Sequence, residues 1–226
     1  MSKKHKEVTE DRFENVEQAL SKTEQFIEDN QKMLSIIALA IIVIVGGYWG
    51  LKKLYFQPLE QEALNSIYTA QNYFERDSFK LALNGDGNSL GFLDIIDEYG
   101  STKPGKLSKY YAGVCYLHIG DYDQAIEYLS SFSTDDDLVS ATRDGAIGDA
   151  NLELGNKEEA ISYYKKAAEF DNEITAPTYL MKLGLLYEEM GDKAKAVETY
   201  SKIKKDYKSS PEARSIDKYI TRASLK

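Results

Sequence analysis

YYAGVCYLHIGDYDQAIEYL (residues 110–129), DGAIGDANLELGNKEEAISYY (144–164) and LMKLGLLYEEMGDKAKAVETY (180–200) align with one another without gaps. Each holds a Gly, a second Gly seven residues on and an Ala five residues after that. The sets are Gly113, Gly120 and Ala125; Gly148, Gly155 and Ala160; Gly184, Gly191 and Ala196, at intervals of 35 and 36 residues. A fixed period in this range marks a solenoid of stacked helix pairs.

Each recurring position has a physical reason. The first Gly and the Ala are small where two antiparallel helices approach closely. The middle Gly ends the first helix in the left-handed conformation that a side chain disfavours. Asp121, Asn156 and Asp192 follow at once and are candidate N-caps, and Gln124 and Glu159 stand where a capping box needs them. The second helices then carry apolar faces: Ala125, Ile126 and Leu129; Ala160, Ile161, Tyr164 and Ala167; Ala196, Val197, Tyr200 and Ile203.

This order of small, aromatic, turn, Ala and aromatic residues over about 107–207 resembles the tetratricopeptide repeat. Tyr116 and Tyr187 fall at the family's first-helix aromatic, and Tyr164 and Tyr200 at its second-helix aromatic. Asn151 and Leu129 depart from it, and the family's Trp and Pro positions are not kept. The resemblance implies an all-α solenoid of three repeats whose stacked first helices line a concave groove for segments of other proteins. It puts Tyr110, Val114, Leu117 and His118 on that groove, then Gly145, Asp149 and Glu153, then Met181, Leu185 and Glu188. Tyr110 and Val114 stand where some family members place a Lys/Asn clamp for carboxylate tails. The mixture of aromatic, apolar and acidic groups suits apolar or basic partner segments instead.

The flanks extend the pattern. Residues 56–100 read as a degenerate upstream repeat, with Pro58 in a first helical turn and an apolar face of Ala63, Ile67, Ala70 and Phe74. NGDGN (84–88) is turn punctuation, and Asp86 lacks the acidic company of a calcium loop. Gly91 stands 34 residues before Ala125, in phase with a second helix that ends at Gly100, and STKPG (101–105) reads as a spacer. At the other end, Ser210 and Pro211 form an N-cap and N1 pair opening a capping helix over 210–226, with Ile216, Tyr219 and Ala223 near one face.

Ahead of the repeats, MLSIIALAIIVIVGGYWGL (33–51) holds nineteen uncharged residues. As a helix it spans about 30 Å, the thickness of a bilayer's hydrocarbon core. Tyr48 and Trp49 near one end suit the membrane interface. The 32 residues before it, and no small-residue site after it, read as a retained anchor rather than a cleaved signal. That tail (1–32) carries an amphipathic pattern of Phe13, Val16, Leu20 and Phe26–Ile27. Lysines flank the span on both sides, so charge alone leaves its orientation open. Gly46 and Gly50 are four apart, a spacing for helix contact in membranes.

Composition excludes several functions. Residues 52–226 hold 22 Lys/Arg against 29 Asp/Glu without basic runs, which argues against nucleic acid. Cys115 is the only cysteine, expected to be buried rather than reactive, and His5 and His118 are the only histidines, so no disulfide and no His-based metal site is expected. No phosphate loop or nucleophile–His–acid set is present, and an enzyme, a cofactor or a small-molecule substrate is not expected. STDDD (133–137) reads as a loop and YEEMGD (187–192) as a solvated helix face.

FIEDNQKML (26–34) entering one span, and GNSLGFLDIIDEYGSTKPGKLSKYYAGVCYL (87–117), make the layout resemble the single-span ancillary subunit of the bacterial Sec translocon. That resemblance implies a cytoplasmic N-terminus in the inner membrane and a periplasmic repeat domain. The partners it implies are the translocon, client polypeptides or periplasmic chaperones. An alternative, an organiser of envelope or cell-division complexes, is encouraged by YKSSPEARSIDKYI (207–220), similar to the ends of other envelope repeat proteins.

Overall fold

The computed structural model describes residues 24–225; the expected helix around Phe13, Val16 and Leu20 lies outside them. The chain divides into two units, up to Pro58 and from Leu59.

The first unit is built on α1 (Gln31–Leu51), followed by a π-helical stretch over Lys52–Phe56. Helix α1 is long and apolar enough to cross a membrane, and none of its residues is buried within the chain. Helix α2 (Gln57–Glu75) holds Pro58 in its first turn, as its sequence implied, although the π-helical residues run into it without a break. The Gln57 N–H donates to the Lys52 carbonyl, five residues back. Proline lacks an N–H and its ring crowds the carbonyl four residues before it, and widening the ladder just ahead of Pro58 gives the ring room.

In the second unit the described residues are all helical or irregular. Ala63, Ile67 and Ala70 of α2 are buried as the face predicted. Ile67 and Ala70 join α3 (Phe79–Asn84), α4 (Phe92–Tyr99) and α5 (Lys103–Ile119) in a core holding Leu83, Phe92, Ile95 and Cys115. Phe74 meets Phe79, Phe92 and Tyr111 edge-on. Cys115 is fully covered, and burial pushes its thiol up to about 12, so it packs as a small apolar group. The turn after α3 is closed by Asp86, whose Oδ1 accepts from the Asn88 and Ser89 amides and whose Oδ2 accepts from the Tyr73 hydroxyl.

Helix α4 runs up to Gly100 as the sequence implied, with Gly100 right-handed at φ −58°. Two readings around α4 and α5 need correction. Gly91 is the N-cap of α4, not a residue inside it. STKPG is not a spacer. Thr102 accepts from the Gly105 amide and donates to the Tyr99 carbonyl, so α5 begins within the supposed linker.

The repeats follow as α5 with α6 (Tyr122–Ser130), α7 (Asp137–Glu153) with α8 (Lys157–Glu169), and α9 (Ala176–Glu189) with α10 (Lys193–Asp206). Gly120, Gly155 and Gly191 are left-handed at φ 82°, 81° and 80°. Each closes the same Schellman turn: the glycine amide bonds three residues back, and the next amide bonds five back, to Tyr116, Asn151 or Tyr187. This explains why no capping box forms at Asp121 or Asn156. The backbone amide that Gln124 or Glu159 would have taken is already spent on the turn, and the Gln124 side-chain Nε2 donates to Glu127 instead. Asp121 and Asp192 cap as expected, but Asn156 makes no cap bond and reaches back to Asn151.

Gly113, Gly148 and Gly184 are the expected close approaches: a Cβ there would lie 2.6, 2.7 and 2.3 Å from Leu129, Tyr164 and Tyr200. Ser210 accepts from the Ala213 amide, a short 3-10 turn (Glu212–Ser215) follows, and α11 (Ile216–Ser224) covers α10 with Ile216 and Ala223.

Candidate functional site

The first helices α5, α7 and α9 bring some of the predicted groove residues together and disperse others. Leu117, Asp149 and Glu153 line one depression of about 260 Å³ with Tyr122 and Leu152. Asp149 and Leu152 also border an adjoining hollow of about 200 Å³, completed by Tyr164, Lys182, Leu185, Leu186 and Glu189. The two hollows share a wall, so a strip runs from α5 across α7 to α9.

The remaining candidates are placed differently. Tyr110 sits against Phe132 and donates to the Thr142 hydroxyl, and Val114 and Met181 are half-buried. His118 is exposed and stacks flat on Phe79, ring centroids 4.3 Å apart. Gly145 does not face a groove: it is buried, and a Cβ on it would meet the Tyr179 ring at 1.9 Å.

Charges on the strip are mostly engaged. Lys182 donates to both Asp149 oxygens at 2.6 and 2.7 Å, and the Tyr164 hydroxyl donates to the same carboxylate at 2.7 Å. Burial first, then the Asp149 charge, pushes the Tyr164 hydroxyl up, which keeps it a donor. Lys157 holds Glu189 at 2.6 Å. Glu153, exposed, forms no ion pair among the described residues and accepts only from Tyr122, at 3.5 Å.

Glu188, expected on a solvated face, is drawn inward instead. It accepts from the buried Tyr200 hydroxyl at 2.9 Å and from the Arg222 guanidinium of α11. These bonds, Arg222 first, hold its carboxyl below the usual range. A group with a depressed folded value adds stability that is present above its unfolded value and lost as pH falls through the folded one. Acidification from about pH 5 to pH 3, across the ordinary glutamate value, is therefore expected to loosen α11. Amide hydrogen exchange over 216–224 should rise in that window, and Glu188→Gln should exchange faster at pH 7 with that step flattened. An unchanged profile in the variant would show that the latch does not hold the helix.

Tyr122, Leu152 and Lys182 were not singled out by sequence reading. Lys182 had a signal: it follows Asp149 by 33 residues, close to one period, so the two face each other across neighbouring first helices. STDDD is the loop expected of it, with Asp136 capping α7 through the Val139 amide.

Comparison with known proteins agrees with this geometry. Models of the tetratricopeptide repeat match residues 108–135 and 179–210, and a second such model matches 145–174. Two solved structures share the fold. "Crystal structure of MamA" is 22% identical, with a TM-score of 0.50, covering 68% of this chain and 91% of that one. "Crystal structure of MamA protein" is 21% identical, with a TM-score of 0.52, covering 73% and 90%. No curated sequence matches. The repeat unit is a tetratricopeptide-repeat solenoid.

Proposed function

We propose that the chain is a membrane-anchored adaptor that binds segments of other proteins along the first-helix face of its repeats. The observation that carries this reading is the pair of adjoining hollows that share Asp149 and Leu152. Leu117, Leu152 and Leu185 offer apolar contact, while Glu153 is free to meet a basic side chain and its neighbours' charges are internally neutralised. An apolar residue beside a Lys or Arg is the complementary segment. Helix α1 is the anchor, and the layout's resemblance to the ancillary translocon subunit supports a periplasmic repeat domain serving secretion or the handover of clients to chaperones.

Two measurements test this. A photo-crosslinking residue at Leu117 or Glu153 should give protein adducts in intact cells that include translocon subunits or periplasmic chaperones, while one at the exposed Lys208 should not. Adducts from Lys208 alone would move binding to another face. Protease added to spheroplasts should remove the repeats; protection would place them in the cytoplasm and overturn the secretion role.

A further inference from the structure

The π-helical turn over Lys52–Phe56 also rearranges the side chains around it. Tyr48, Trp49, Lys52, Lys53 and Gln57 line a recess of about 350 Å³, wholly within the first unit. In a regular α-helix Gln57 would stand about 140° round the axis from Lys52. The turn closed by the Gln57 N–H on the Lys52 carbonyl, five residues back, brings its carboxamide round to the lysine side. Two aromatic rings, two ammonium groups and an amide donor therefore border one space.

Three observations bear on what it can hold. First, its charge is of one sign. No Asp or Glu occurs between Asp29 and Glu60, and neither lysine forms an ion pair among the described residues. Second, the lysines stand inside an apolar surface rather than beyond it. The uncharged run over 33–51 precedes them, and Leu54, Tyr55 and Phe56, all exposed, follow. With α1 as the membrane anchor, aromatic rings on both sides keep the two ammonium groups at the boundary of headgroups and acyl chains. The anions at that depth are lipid phosphates. Third, no carboxylate borders the recess to receive the ammonium of a zwitterionic headgroup.

We propose that this recess is a binding site for the headgroup of an anionic phospholipid. Lys52 and Lys53 pair with the phosphodiester, a charge-assisted contact, and the Gln57 amide donates to a further headgroup oxygen. Tyr48 and Trp49 cover the glycerol and the first acyl carbons with their rings. The inference rests on α1 as the anchor, and holds whichever leaflet the recess meets.

The test uses the full chain, purified in detergent and stripped of lipid, and native mass spectrometry. It is titrated with phosphatidylglycerol or phosphatidylethanolamine of matched acyl chains. The first should bind about tenfold more tightly. Lys52→Gln/Lys53→Gln should abolish that difference, whereas Lys52→Arg/Lys53→Arg, which keeps the charge, should retain it. Gln57→Leu should weaken phosphatidylglycerol about threefold. Lys106→Gln/Lys208→Gln, two exposed lysines of the repeat unit, should change nothing. Equal affinity for the two lipids overturns the proposal, as does a preference that survives the double Gln variant. Displacement of the lipid by inorganic phosphate would assign the lysines to a free anion and overturn it too. Alkaline carbonate washing of membranes reads the anchor separately. Release of the chain overturns both readings, whereas a retained chain without a lipid preference overturns this one alone.

Discussion

Gly105→Ala is expected to lower the melting temperature of the repeat unit by about 6–12 °C, a loss of about 3 kcal/mol at 2–4 °C per kcal/mol. A Cβ at this position would lie 1.9 Å from the Tyr99 carbonyl oxygen, 2.4 Å from its carbon and 2.9 Å from the Gly100 Cα. All three atoms are backbone, so no rotamer change relieves the overlap, and the start of α5 must lift off the end of α4. Lifting it strains the Thr102 hydroxyl's two bonds, to the Tyr99 carbonyl at 2.7 Å and from the Gly105 amide at 3.1 Å. Against this, alanine brings at most about 1 kcal/mol of helix propensity. Lys106→Ala, at an exposed neighbour in the same turn, is the control and should melt with the parent. The near-UV tyrosine signal reports the transition; a Gly105→Ala protein melting with its parent would show that the helices do not approach so closely.

Gly184→Val is expected to cost a similar amount for a different reason. Here the obstacle is a side chain: the Tyr200 Cε1 lies 2.3 Å from a Cβ built on Gly184. Tyr200 has no exposed surface, and its hydroxyl is tied to Glu188 at 2.9 Å, so the ring has nowhere to swing. Valine adds two further methyl groups and a stiff χ1 within a helix. We expect a loss of about 3 kcal/mol. Tyr200→Ala alone should cost about 3–5 kcal/mol through the cavity it leaves. In the double variant the valine grows into the space the ring vacated, so the combined loss should fall short of the two single losses added together. Strict additivity in thermal melts would refute a contact between these residues. Gly191→Ala is the useful contrast. No atom stands within 4 Å of its Cβ, so only the left-handed backbone, φ 80°, opposes it, at about 1 kcal/mol.

These two glycines mark where the sequence could be read and where it could not. Gly184 was legible because it recurs: three copies at one period reveal a packing rule that a single copy would hide. The same repetition exposed the left-handed turns at Gly120, Gly155 and Gly191. Gly105 has no counterpart in the other repeats, and beside a proline it looked like punctuation, although the Thr102 side chain makes it part of a helix. The groove was half legible. The resemblance to the tetratricopeptide repeat implied that Leu117, Asp149 and Glu153 face one groove, and the structure joins them. It could not foresee that the Tyr179 ring would cover Gly145, or that Arg222 would draw Glu188 inward, because both depend on side chains two helices further along the chain.

From α5 onward, the side-chain hydrogen bonds that tie one repeat to the next span 31 to 36 residues, from Tyr122–Glu153 to Tyr207–Asp171. None skips a neighbour, so each joint is closed by its own two members. Duplicating or deleting one period would therefore disturb the joint at the splice, where Lys182 needs Asp149, and leave the other joints with their own partners. Helix α11 closes its joint on the same plan, standing where the first helix of a further repeat would lie and lending Arg222 to Glu188.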